Sequence, residues 1–168
     1  RPEHFRGVTT VVTKLLNIVQ PDVAVFAQKA AQQAIVLKQL VRDLHLPVKI
    51  ITGPIVREDD GLAMSSRNSY LSPDERKQAL QLNRSLQAAK KMVESGTRDS
   101  NIIINKIRSH WENQPAITED YIAIVDPAQL QPLDRIENQP ALIAVAAHVG
   151  TTRLIDNIIV DFDGTDTL

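Results

Sequence analysis

Ser65-Ser66-Arg67-Asn68 packs two hydroxyls, a guanidinium and an amide into consecutive positions. That set suits a polyphosphate: hydroxyls donate to bridging oxygens, and a forked guanidinium holds the charged ones. The run closes a polar loop, Arg57 to Asn68, with an apolar pair, Leu62-Ala63, in its middle. Taken alone, such a run also describes a solvated turn, so its neighbours must carry weight. Lys29 follows a strand-like segment at a helix start, where backbone amides and the helix dipole would add to its charge on a phosphate. A solvated lysine fits the same place. Gln32 and Gln33 are adjacent amides able to hold a hydroxyl or a carboxylate without adding charge, and a surface pair of good helix formers fits as well.

Other polar clusters point elsewhere. Glu58, Asp59 and Asp60 are adjacent, and mutual repulsion on burial predicts that most of this run is solvated. His4, His45, His110 and His148 are far apart, with no metal-binding spacing, so no histidine-built metal site is expected. His4 is a candidate contributor to a site, whereas His110 and His148 are expected in packing or on the surface. Neither a P-loop nor a Gly-x-Gly-x-x-Gly pattern occurs.

Composition narrows the class. A net charge of −1 gives no electrostatic footprint for nucleic acid or an anionic membrane. Aromatic residues at 4% are too few for base-stacking platforms. No apolar run approaches membrane-spanning length. The absence of cysteine excludes a disulfide framework and thiolate chemistry and suits the cytoplasm. The opening, Arg1 to Val8, reads as the interior of a longer protein.

The elements that must position these residues follow from periodicity. Val8, Val11, Val12, Leu15, Leu16 and Val19 recur at helical spacing up to Pro21. Asp22–Ala27 is a short apolar run, as for a strand buried on both faces of a parallel sheet. A helix carrying Ile35 to Leu44 and a strand over Val48–Thr52 complete a βαβ unit. Two strands are too little sheet to stand alone, so further strands are expected upstream or on another chain. Ser72-Pro73-Asp74-Glu75 marks a helix start and Gly96 its stop. Asp99 or Ser100 caps a further helix that ends before Pro115. Asp120–Val125, Ala141–Val149 and Arg153–Phe162 read as strands of an antiparallel sheet, and the tail from Asp163 as frayed. The fold class is therefore α/β, a parallel-sheet domain followed by a small α+β domain, with a boundary near Ser69.

Three segments together resemble one family. Arg1-Pro2-x-His4-Phe5-x-Gly7-Val8, Lys29-x-x-Gln32-Gln33 and Val56-Arg57-Glu58-x-Asp60-Gly61-Leu62-Ala63-Met64-Ser65-Ser66-Arg67-Asn68 come in the order and spacing of pantoate–β-alanine ligases. Gly150 to Asn157 is similar to that family's last strand pair. The resemblance covers essentially the whole chain. It implies a Rossmann-like nucleotidyltransferase domain (here its carboxy-terminal part, residues 1–69) and a small helical and antiparallel-sheet lid (residues 70–168). It implies ATP-dependent condensation of pantoate with β-alanine through a pantoyl adenylate, in a cytoplasmic homodimer. Met64, Ser65, Ser66 and Arg67 match the ATP signature, Val56 the adenine side, Lys29 the phosphates and Gln33 pantoate. Lys29, Ser65, Ser66 and Arg67 would carry catalysis. Magnesium would be held mainly by the triphosphate and by upstream residues, with no metal ligand in this chain.

The chain departs from the family at Ala27-Gln28-Lys29-Ala30, where Gly-Glu-Lys-Asp is usual. The four positions match the ATP site, but Ala30 lacks the carboxylate for the ribose and Ala27 adds a methyl at a close approach. A second departure is the family's amino-terminal half, with its adenylation histidine and metal-binding acids. The chain as given is therefore expected to hold half a site and to be inactive alone. A non-catalytic nucleotide- or pantoate-binding module is the alternative.

Overall fold

In the computed structural model, which describes residues 2–161, α1 spans Pro2–Val19. It begins earlier than the apolar periodicity predicts, so His4 and Gly7 are helical. Gln20 ends the helix in the left-handed region (φ 51°), its N–H bonded to the Leu16 carbonyl at 2.9 Å.

The chain then forms β1 (Val23–Ala27), a 3-10 turn (Gln28–Ala30), α2 (Ala31–Asp43) and β2 (Lys49–Gly53). β1 and β2 are parallel, in register from Val23↔Lys49 to Ala27↔Gly53. This is the expected βαβ unit, and among the described residues its sheet has two strands. Burial differs from expectation. Val23 and Val25 are exposed, while Ala24 and Phe26 are partly buried. The strand alternates because α2 packs on the sheet and the side chains between point away from the covered face. Residues Arg1–Pro54 form one compact unit and Ile55–Leu168 a second.

In the second unit, α3 (Pro73–Glu94) and α4 (Ser100–Trp111) precede β3 (Ile117–Val125), β4 (Ala141–Val149) and β5 (Thr152–Val160). Ser72 and Glu75 form a reciprocal capping box ahead of α3, with Pro73 at its first position. Gly96 stops that helix at φ +92°, where the Thr97 N–H reaches the Met92 carbonyl. Asp99, rather than Ser100, caps α4, accepting from the amides of Asn101 and Ile102. The three strands are antiparallel in the order β3-β4-β5. β3 starts earlier than expected and carries an irregularity between Glu119 and Tyr121, where Asp120 pairs with Arg153. Ile143, Val145, Ala147 and Val149 alternate along β4 and bury against Leu82, Leu86, Val93, Ile103 and Ile107. Full burial of one such aliphatic side chain is worth about 2 kcal/mol. Phe162 and the tail from Asp163 lie outside the described residues.

The β4–β5 turn is fitted to the start of α3. Gly150 has φ +58°, and a Cβ there would overlap the Glu75 Oε1 of the capping box. Gly150→Ala is therefore expected to cost about 2 kcal/mol, combining a left-handed alanine with a displaced cap. Urea denaturation checks this, and the loss should shrink in a Glu75→Ala background. An undiminished cost there would show that the cap plays no part.

Candidate functional site

The Arg57–Asn68 loop is a two-stranded ribbon rather than a free coil. The Glu58 N–H bonds to the Leu62 carbonyl and the Met64 N–H to the Val56 carbonyl, both at 2.9 Å, with Arg57 opposite Ala63. Gly61 makes the turn at φ +93°, and its carbonyl accepts from Arg57 at 3.2 Å and Asn83 at 3.1 Å. Leu62 and Ala63 are buried, so the loop's apolar pair anchors it to the core of the second unit.

Charge fixes the ribbon on both flanks. Arg57 makes a bidentate pair with Asp156 of β5, at 2.7 and 3.0 Å. Asp156 is 3% exposed, among core-facing residues. Arg76 of α3 donates to Asp60 at 2.9 and 2.7 Å and to Glu58 at 2.6 Å. The second oxygen of Glu58 accepts from the Asn68 side chain. As expected, most of the acidic run is solvated: Asp59 and Asp60 are exposed and Glu58 is half-buried, yet Glu58 and Asp60 are also tied to α3 by Arg76. Repulsion between the two acids is offset because they share one guanidinium. Sequence reasoning assigned no role to Arg76 or Asp156. A charge at a core-facing position between Leu154 and Ile158 was the available signal, since a buried carboxylate requires a partner.

Past the ribbon, Ser65 starts a 3-10 turn, Ser66–Tyr70, and its hydroxyl accepts from the Arg67 N–H at 3.3 Å. Val56 and Met64 are cross-strand neighbours on the ribbon and both are exposed, at 60% and 55%. Ser66 and Arg67 are exposed and Ser65 half-buried. Among the described residues the Arg67 guanidinium has no carboxylate partner, while Arg57 and Arg76 are engaged. The structure therefore brings Val56, Met64, Ser65, Ser66 and Arg67 together: two apolar side chains beside hydroxyls and an available guanidinium. Such a surface can take a flat apolar ring joined to an anion.

Lys29 and Gln33 belong to the first unit. Lys29 is half-buried in the 3-10 turn directly after β1. Gln28 beside it is buried, and Ala27 is exposed. Gln33 is half-buried and Gln32 exposed in the first turn of α2. Neither the 3-10 turn nor α2 carries a side-chain cap. Because Ala27 pairs with Gly53, the chain leaves both strands at the same carboxyl edge of the sheet, the usual ligand edge of such sheets. His4 is exposed in α1, its ring edge-on to Phe5 at 5.1 Å. His110 and His148 are half-buried, and burial, then Lys106, holds the His110 imidazole below its usual value. No described helix is long and apolar enough to cross a membrane.

A parallel βαβ unit followed by a three-stranded antiparallel sheet makes this an α/β protein of the nucleotidyltransferase-like class. The family model described as pantoate-beta-alanine ligase matches residues 1–159, and the chain belongs to that family. It is 54% identical over 159 residues to the pantothenate synthetase of Thermoanaerobacter sp. (strain X514), covering 95% of this chain and 56% of the relative. It is 50% identical to that of Moorella thermoacetica, covering 96% of this chain and 56% of the relative. The crystal structure of pantothenate synthetase from Thermus thermophilus matches with a TM-score of 0.85 and 41% identity, covering 94% of this chain and 56% of that one. The Francisella tularensis pantoate-beta-alanine ligase, complexed with beta-gamma ATP and beta-alanine, matches with a TM-score of 0.65 and 32% identity. That match covers 95% of this chain and 51% of that one. The chain thus spans about half the length of these relatives.

The acids of the ribbon make its attachment pH-dependent. The Asn68 amide, then Arg76, holds the Glu58 carboxyl below its usual value. At Asp60 burial opposes the charge, but the Leu62 N–H and Arg76 outweigh it. Both groups are therefore more acidic folded than unfolded. Their contribution is present above the ordinary values of 4.5 and 3.8 and is lost as pH falls through the lower folded values. A Glu58→Gln/Asp60→Asn double variant should thus lose less stability than the parent between about pH 6 and about pH 3. Parallel melting curves across that range would contradict the assignment.

Proposed function

We propose that this chain contributes to the ATP-dependent condensation of pantoate with β-alanine. The observation that supports this most is the exposed Arg67 guanidinium, without a carboxylate partner among the described residues, beside Ser65, Ser66 and the exposed Val56–Met64 pair. In this reading Val56 and Met64 take the adenine, while Ser65, Ser66, Arg67 and Lys29 take the phosphates. Gln28 and the backbone at Ala27 and Ala30 line the nucleotide, and Gln33 holds pantoate. The assignment of residues 1–69 to ATP and pantoate binding, and of residues 70–168 to a lid, belongs to the same proposal.

The chemistry follows from charge. The pantoate carboxylate attacks the α-phosphorus, the bond to the β-phosphate oxygen breaks, and pyrophosphate leaves with the electron pair. The β-alanine amine then attacks the acyl carbon of the pantoyl adenylate, loses a proton, and AMP leaves. Negative charge grows on the α-phosphate oxygens in the first step. In this reading the hydroxyls and guanidinium of Ser65–Arg67, and the Lys29 ammonium, would each stabilise that charge. Magnesium accompanies ATP in this reading, yet among the described residues no cluster of three or more His, Asp or Glu side chains is arranged to hold it. The charge stabilisation assigned to this chain therefore rests on its cations and hydroxyls. The reading includes a cytoplasmic homodimer, and nucleotide binding without turnover by these residues alone.

Calorimetric titration of ATP into the chain should give saturable heat. Arg67→Ala should weaken binding at least about tenfold, the worth of a charge-assisted hydrogen bond. Absence of heat, or indifference to Arg67→Ala, would count against the reading. Ala30 is half-buried and offers no side-chain acceptor where the family's usual Asp meets the ribose. Ala30→Asp should tighten ATP by about threefold to tenfold, as one new hydrogen bond would. Unchanged or weaker binding would remove the ribose assignment.

A further inference from the structure

The Glu58 side chain bonds to two other elements at once. One oxygen accepts from Arg76 of α3 at 2.6 Å, and the other accepts from the Asn68 amide in the 3-10 turn. Asn68 is 6% exposed, and its amide nitrogen also donates to the Ala63 carbonyl at 3.2 Å. Both partners are acceptors, so the orientation of the Asn68 amide is fixed. Its side-chain oxygen is then left buried with no partner among the described residues. Of the two bonds made by the amide nitrogen, the one to the Glu58 carboxylate is the charge-assisted and stronger one. Arg67 lies immediately before Asn68, and Ser65 supplies the carbonyl that accepts the Asn68 N–H at 3.0 Å.

We propose that Glu58 is a positioning residue: it sets the Ser65–Arg67 run against α3 through Asn68, without touching a ligand. The inference rests on the ATP reading above and adds a residue to it. Redundancy makes the role separable from overall stability. Arg76 has two further bonds to Asp60, and Arg57 holds the ribbon to β5 through Asp156. Loss of Glu58 therefore leaves the ribbon attached and releases only the turn. Glu58→Gln keeps one carbonyl oxygen for Asn68 while Asp60 retains Arg76, so it should restore most of what Glu58→Ala loses.

The test compares Glu58→Ala, Glu58→Gln and a control, Glu119→Gln, which breaks the exposed pair with Arg108. Two quantities are read: amide hydrogen exchange by NMR and ATP affinity by calorimetry. Glu58→Ala should speed exchange at Arg67 and Asn68 and weaken ATP, each about tenfold, with α3 protection unchanged. Glu58→Gln should lie near the parent, and Glu119→Gln should match it. Unchanged exchange at Arg67 and Asn68 overturns the proposal whatever ATP does. So does equal loss of protection along α3, or faster exchange with ATP affinity intact. If the unsubstituted chain takes up no ATP, the functional reading fails, and the exchange pattern alone decides the role of Glu58.

Discussion

The ion pair between Arg57 and Asp156 is the constraint on which the second unit's candidate site depends. A polar ribbon facing solvent has little apolar area to hold it, and ordering each of its residues costs about 1–2 kcal/mol of backbone entropy. Leu62 and Ala63 supply some burial. The rest comes from guanidinium–carboxylate geometry, in which two parallel hydrogen bonds fix direction as well as distance. Asp156 is buried at the centre of β5, and it also accepts from the Asn157 N–H at 2.8 Å. A carboxylate in that place would be costly alone. Opposite Arg57 it becomes a fixed point to which a solvent-facing polar segment is tied.

That tie gives different roles to three arginines of similar chemistry. Arg57 and Arg76 are neutralised by the acids they hold, so their charge is spent within the structure. Arg67 is exposed and without such a partner among the described residues. The acids Glu58 and Asp60 could in principle have repelled an anionic ligand. Paired with Arg76, they present less net charge, and the field near the 3-10 turn is set more by Arg67. The arrangement separates cations that build the loop from the one that faces outward.

The sequence made legible whatever is local. Ser72-Pro73 at the start of α3, the Gly96 stop and the apolar β4 segment each follow from a short-range rule and appear in the structure. The parallel βαβ unit was legible from helix and strand periods, and the Ser65–Arg67 run from residue type. Burial of β1 was not, because a continuous apolar run does not state how many faces are covered. The ion pairs were not legible either. Arg57 and Asp156 are far apart in the chain, and only the fold decides which charges meet. Glu58 and Asp60 were read from adjacency alone, as mutually repelling, although the relevant charge, Arg76, stood a helix turn beyond the Ser72 cap.

Backbone geometry also bears on the Ala27–Ala30 segment. Ala27 has φ −77° and ψ 138°, an extended conformation open to any residue. Alanine there stores no strain, so glycine at this position would answer to the close approach of a ligand rather than to the turn. Ala30, at φ −98° and ψ 55°, leads into α2 without a side-chain cap. An Asp in that place could serve the helix start or a sugar hydroxyl, and Ala30 serves neither. What remains in the segment is Lys29 and the uncapped amides of the first turn of α2. In the proposed reading those groups would meet phosphate charge rather than sugar hydroxyls, and alanine at Ala27 and Ala30 would leave that anion-binding chemistry in place.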